Sequence, residues 1–239
     1  MGVVDDRPET AATVLGRILA LVDERVEDDR AAAIRAFVRE YMRRLADEAP
    51  DTSAEALFRE ALGAFELASG RDGAPVAVRA FNPVATEHGY QARGAVLETN
   101  TDDLPFLVDS VSAELESRGL AIVRVVHPII GTERDGRGRI VAVKHPRDAG
   151  ATESVMHFEL DRPLGPEELA SLEDAVRTAI EDVRNVVRDH PAMRLRVGEM
   201  IETARAGEGR YDADEVAETV AFLRWLLDEN FIFLGAREY

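Results

Sequence analysis

The apolar positions of the chain change period several times, and each change marks an element. From Thr13 to Ser69 they recur at helical spacing: Val14, Ile18 and Val22, then Ile34, Phe37, Val38, Tyr41 and Leu45, then Leu57, Ala61, Leu62 and Phe65. Each set is one apolar stripe on an otherwise polar helix, and together they predict a small all-helical layer whose stripes form a core. Pro50-Asp51-Thr52-Ser53 separates the second helix from the third, with Thr52 or Ser53 as its N-cap. A Gly, Asp and Pro cluster at 70–75 predicts a linker, and at Val76–Phe81 the period drops to two, as in a strand.

The stretch from Ala95 to Pro128, AVLETNTDDLPFLVDSVSAELESRGLAIVRVVHP, organises the rest. Ala95–Thr99 is β-prone. In Asn100-Thr101-Asp102-Asp103 the side-chain oxygens are placed to cap a helix that carries Pro105 in its first turn. Leu104, Leu107, Val108, Val111 and Leu115 give that helix one apolar face, and Gly119 is its C-cap. Ala121–Val126 is a second strand, expected beside the first, and Pro128 ends its ladder or marks a bulge. A right-handed crossover puts the turn at 100–103 beyond the carboxyl end of the first strand, where open α/β sheets bind ligands. Capping by Asp102 and Asp103 accounts for the same residues without a ligand.

Thr132–Gly138, TERDGRG, predicts a hairpin turn with positive φ at Asp135-Gly136 and Gly138, and Arg139–Lys144 returns. Its two glycines are not a dinucleotide fingerprint, because the third is missing and a strand follows. Ser154–Leu160 alternates: Met156, Phe158 and Leu160 are a core face, and Val155, His157 and Glu159 a solvated or interface face. Leu169, Leu172, Val176, Ile180, Val183 and Val187 make a helical stripe from Pro166 to about Asp189. Pro191–Arg205 and Asp214–Glu229 are further helices, with Trp225 in a packing role, and Phe231–Arg237 is a strand candidate. The order fits an α+β fold, a ferredoxin-like antiparallel sheet with helices on one face, behind the helical layer. Three segments result: 1–70, 71–190 and 191–239. The closing strand is expected from Phe231–Arg237, from Val76–Phe81, or from a partner chain.

Composition narrows the chemistry. A net charge of −17 over 239 residues argues against nucleic acid and anionic membrane as partners. Without cysteine there are no disulfides, thiolate nucleophiles or zinc–thiolate sites, and Lys144 is the single lysine available as a base. The N-terminus lacks a basic segment followed by an apolar core, and no stretch approaches the length of a membrane span, so a cytoplasmic protein is expected. Ser110 follows Asp109 without a G-x-S-x-G context, and no nucleophile and base pair up. Asp102, Asp103, Asp109 and His127 come nearest to a metal set, although capping explains the aspartates. His127 is expected to be hydrogen-bonded and partly buried, and His88 solvated in a loop.

TDDLPFLVDSVSAELESRGL, followed by VVHPII and SVMHFELDR, resembles the N-terminal region of the large NAD-specific glutamate dehydrogenases of bacteria, which contains ACT-type regulatory domains. The similarity extends from about Val78, through RAFNP and EHGYQ, to FLRWLLDENFIFLGAREY. It implies the front piece of a longer enzyme that oxidises L-glutamate with NAD to 2-oxoglutarate and ammonia, with NAD bound outside this piece. The chain ends within a strand-like run, as expected of such a piece. The resemblance further implies a non-catalytic regulatory region that forms homo-oligomers through its ACT-like domain, with an amino-acid effector as a possible ligand. The effector turn would be Asn100, Thr101, Asp102, Asp103, Leu104 and Phe106. Many ACT domains read D-R-P-G-L-L there, and Phe106 stands where they have glycine. Its ring is expected to fill the pocket, and the two aspartates to repel a carboxylate. The alternatives are a free-standing amino-acid sensor and a small metal-dependent enzyme using Asp102, Asp103 and His127.

Overall fold

The computed structural model describes residues 11–45, 52–71 and 73–237, in two compact units, 1–180 and 181–239. In the first unit three helices lead: α1 (Ala11–Arg25), α2 (Asp28–Leu45) and α3 (Ala54–Ser69). Ser53 caps α3, its hydroxyl accepting from the Ala56 N–H at 3.2 Å. Then follow β1 (Val76–Phe81), a short α4 (Ala85–His88), β2 (Val96–Asp102), α5 (Leu107–Ser117), β3 (Ile122–Val126), β4 (Ile129–Arg134), β5 (Ile140–Lys144) and β6 (Thr152–Leu160). α6 (Pro166–Ala206) runs into the second unit, and α7 (Ala213–Trp225) completes it.

The sheet is antiparallel throughout, in the order β1-β2-β6-β4-β5, and β3 shares the flank of β6 with β4. Pro128, between β3 and β4, offers no N–H to the ladder, and the strand is interrupted there. The crossover through α5 therefore does not return beside β2: β6 is inserted between β2 and β3, as in a ferredoxin-like sheet. Of the three sources considered for the closing strand, the structure uses Val76–Phe81, which pairs with β2 from Val76↔Thr101 to Phe81↔Val96. Its outer edge is held by α6. Glu173 accepts from the Ala80 N–H at 2.7 Å, and Arg177 donates to the Val76 carbonyl at 3.2 Å. Phe231–Arg237, the other candidate, has no strand geometry.

Both faces of the sheet are covered. On one, Phe37, Tyr41, Phe58 and Phe65 of the helical layer form a continuous core with Val126, Ile130, Ile140, Val143 and Val155. Alternation turns Leu97, Met156, Phe158 and Leu160 the other way, toward the side of α5 and α6, whose buried residues include Leu107, Val111, Leu115, Leu172, Val176 and Ile180. Arg118 at the end of α5 donates to Ser171 of α6 at 3.1 Å, joining the two helices. α5 closes with Gly119 at φ 67°, the Leu120 N–H reaching back to the Leu115 carbonyl. In the β4–β5 turn only Gly138 takes positive φ, because Asp135 organises the bend by accepting from the Arg137 and Arg139 N–H groups.

In the second unit the expected break at Pro191 does not occur. The apolar stripe of α6 continues across it to Met193, Val197 and Ile201, and the helix carries the proline inside. Val197 and Ile201 pack with Val216, Val220 and Leu223 of α7. Among the described residues no helix is long and apolar enough to cross a membrane.

Candidate functional site

The turn singled out by sequence is built differently from expectation. β2 runs on through Asn100 and Thr101 to Asp102, and α5 begins at Leu107 with Phe106 at its N-cap and no side-chain cap. Asn100 is buried and donates to Glu153 and to the Ser154 carbonyl at 3.0 and 3.2 Å. Thr101 is buried and donates to the Pro75 carbonyl at 3.0 Å. Asp102 accepts from both terminal nitrogens of Arg71 at 3.2 Å, and the Asp103 N–H donates to Thr152. The aspartates therefore close the strand rather than cap the helix, and Pro105 stands before the helix. Phe106 adopts φ 69°, the left-handed conformation that glycine takes without strain. Its side chain is 45% exposed, so it stands at the rim of the turn.

The larger concentration of polar chemistry lies on the sheet face under the helical layer. His157, expected on a solvated or interface face, is 0% exposed. Its Nδ1 lies 3.0 Å from Glu98 Oε1, and its Nε2 lies 3.8 Å from Glu60 Oε2. Glu60 projects from α3 and is gripped by the two terminal nitrogens of Arg124 at 3.1 and 2.6 Å. The same guanidinium donates to Glu159 at 2.5 Å, the Tyr41 hydroxyl donates to Glu60 at 2.6 Å, and Arg79 holds Glu98. Burial opposes the charge on Glu60, but His157 and Arg124 outweigh it and the carboxyl stays below its usual range. Burial likewise opposes protonation of His157, and Glu60 and Glu98 reverse that, so the imidazole titrates above its ordinary value. Burial and the neighbouring Glu60 push the Tyr41 hydroxyl well above its ordinary value, so it stays a donor.

A second group on the same face centres on Glu153. It accepts from Arg134 and Thr132 at 2.7 Å and from Asn100 at 3.0 Å. Against the cost of burial, these partners keep its carboxyl below the usual range.

Among the described residues one group of three donors lies within 4.8 Å of one another, Glu60, His157 and Glu159. The cation's place between its two carboxylates is filled by Arg124, which makes this an ion-pair cluster rather than a metal centre. Asp102, Asp103, Asp109 and His127 are not brought together: Asp109 is exposed on α5, and His127 Nε2 is 2.9 Å from the Ser154 hydroxyl. His88 stacks on Phe81 at 4.6 Å and is half-buried, not solvated.

Sequence reasoning missed Glu60, Glu98, Arg79 and Arg124, although three of them carried a signal. Glu60 interrupts the apolar stripe of α3 between Leu57 and Ala61. Glu98 and Arg124 sit inside otherwise β-prone runs, where a charge needs a partner if both faces are covered.

A ferredoxin-like antiparallel sheet with its crossover helices on one face is the ACT-type α+β fold. The model of the family described as "Glutamate dehydrogenase, ACT1 domain" matches residues 37–176, and the chain belongs to that family. It is 29% identical over 236 residues to the NAD-specific glutamate dehydrogenase of Halomonas elongata, covering 97% of this chain and 15% of that protein. It is 33% identical over 181 residues to that of Pseudomonas aeruginosa, covering 74% and 11%, and 27% identical over 147 residues to that of Mycobacterium tuberculosis, covering 59% and 9%. The chain thus spans 15% or less of the length of these relatives.

Proposed function

We propose that this chain is a non-catalytic regulatory and assembly region of a large NAD-specific glutamate dehydrogenase in the cytoplasm. The parent reaction converts L-glutamate and NAD to 2-oxoglutarate, ammonia and NADH, with the reacting groups and the NAD site elsewhere in the longer protein. The observation that carries the reading is the apolar surface of the second unit. Phe222 and Trp225 stack on one another on α7, their centroids 6.2 Å apart, at 57% and 50% exposure and turned away from Val216, Val220 and Leu223. Phe231, Ile232 and Leu234 follow, each more than half exposed. Concentrated exposed apolar area of this kind marks a contact surface. A two-fold pairing of copies buries it with the fewest new requirements. Sedimentation velocity across a wide concentration range tests the assembly. A dimer or larger species is expected, reduced to monomer by F222E/W225E; a monomer throughout would overturn it.

A second reading, an ACT-type amino-acid sensor, is favoured by the start of α5. Its first N–H groups carry no side-chain cap, and such groups receive carboxylates well. Thermal unfolding against a panel of amino acids decides it. A ligand at 100 times its dissociation constant stabilises by about 2.7 kcal/mol, a shift on the order of 5 to 10 °C for a chain of this size. The absence of any shift would dismiss sensing at this turn.

A further inference from the structure

The buried cluster around His157 joins three layers of structure, and its charges balance in one protonation state only. The groups that face the imidazole come from every element packed around it: Tyr41 of α2, Glu60 of α3, Arg79 of β1, Glu98 of β2, Arg124 of β3 and Glu159 of β6. Tyr90, also buried, adds a neutral hydroxyl nearby. Three carboxylates, Glu60, Glu98 and Glu159, stand against two guanidinium groups, Arg79 and Arg124. An imidazolium makes the set neutral. A neutral imidazole leaves one uncompensated negative charge in a cluster whose Glu60 and Glu98 are almost fully buried, a state that low-dielectric surroundings penalise.

The geometry also says which layer the charge serves. Nδ1 is paired within the sheet, to Glu98, whereas Nε2 has no hydrogen-bond partner among the described residues and has its nearest carboxylate there, 3.8 Å away, on α3. Glu60 is the one carboxylate of the three that belongs to the helical layer. Tyr41 brings the neighbouring helix to the same point, its ring edge-on to the imidazole at 6.4 Å.

We propose that His157, protonated among Glu60, Glu98 and Glu159, is the charge that closes the helical layer onto the sheet, so that loss of this one proton loosens α1–α3. The layer is thereby a pH-responsive cover over one face of the ACT-type sheet. Because the folded state holds the proton more tightly than the ordinary imidazole value of 6.5, the closing interaction is complete below that pH. It is lost as pH rises from there through the titration of His157. Over that window the opening equilibrium of α1–α3 grows by up to about tenfold per pH unit.

The test combines histidine NMR with amide hydrogen exchange on the 239-residue chain, the imidazole of His157 being assigned with H157Q. His157 is expected to titrate above the ordinary imidazole value of 6.5. Protection of α1–α3, corrected for intrinsic exchange, is expected to fall over the same interval, with α5 unaffected. In H157Q that protection is lower and flat across the interval. E98Q/H157Q, which removes one carboxylate with the imidazole and returns the cluster to neutrality, regains it, since the partly exposed Arg79 can be hydrated. A His157 that titrates at or below the ordinary imidazole value, or stays neutral, overturns the proposal. So does α1–α3 protection that does not follow the titration, or a double variant no better protected than H157Q. Should H157Q fail to fold, E98Q supplies the assignment and the unsubstituted chain decides the matter.

Discussion

The two faces of the sheet are both buried but made of different material. Toward α5 and α6 the strands present Leu97, Met156, Phe158 and Leu160. Toward α1–α3 the same strands present Glu98, Glu153, His157 and Glu159, met by Arg124 and Arg134. Burying a large apolar side chain stabilises by about 1.5 to 3 kcal/mol, whereas a buried ion pair roughly breaks even against its desolvation. The first face therefore supplies net stability. The second supplies position, because Glu60 of the layer meets the fork of Arg124 on β3 in one placement only, with Tyr41 of the same layer holding the carboxylate for it. The apolar residues around the charges, Val126, Ile130 and Val155, supply adhesion of their own once the charges are balanced.

The largest effects come from breaking each face at its centre. Arg124→Leu strands Glu60 and Glu159 in the interior and is expected to cost about 3 to 5 kcal/mol. Phe158→Ala empties the other face at a similar cost, about 3 to 5 kcal/mol. Urea midpoints at unchanged slope measure both. The faces part company on repair. The triple variant E60M/R124L/E159V removes the Arg124 guanidinium together with both of its carboxylate partners and is expected to recover most of that loss, since apolar replacement of a buried ion triad is often neutral or better. If the triple variant is no more stable than R124L, the charges contribute net stability and the contrast between the faces fails.

A smaller effect separates the faces by pH. Glu60 and Glu153 have carboxyls held below the glutamate value of 4.5, so their contribution is present above that value and is lost as pH falls below it toward their folded-state titration. Thermal unfolding between pH 7 and pH 3 is expected to show a falling acid limb, shallower in E60Q. An identical limb in E60Q would mean that Glu60 binds no extra proton on unfolding.

What the sequence disclosed follows the same division. The apolar stripes of α1–α3, the alternation of β6, the cap at Ser53 and the Gly119 terminus were legible because each follows from a local rule. The burial of His157 was not. Its alternation with Val155 and Glu159 reads as an outward face until the helical layer is known to dock there, and docking is a long-range fact carried by Glu60 and Tyr41, about a hundred residues upstream. The turn at 100–103 failed for a related reason. Asn, Thr and Asp have the same chemistry at a strand end as at a helix cap, and Arg71, Pro75 and Glu153 decided between the two. Phe106 kept the left-handed backbone of a glycine position, which no propensity for phenylalanine foretells.

The smallest effect tests how dry the apolar face is. Thr99 lies opposite Met156, on the side of the sheet away from His157, and its hydroxyl is buried without a hydrogen-bond partner among the described residues. On the charged face a buried hydroxyl is spent at once, as Thr132 is on Glu153. On the apolar face an unpaired hydroxyl is a desolvation cost with nothing returned, about 1 kcal/mol or somewhat more. Thr99→Val has nearly the same shape and is expected to raise stability by about 1 kcal/mol, a gain in melting temperature of about 2 to 4 °C. The paired control, Thr132→Val, removes a donor from Glu153 and is expected to move the other way. A Thr99→Val variant that loses stability would mean that the hydroxyl is bonded in solution, so that the face beneath α5 and α6 is not purely apolar.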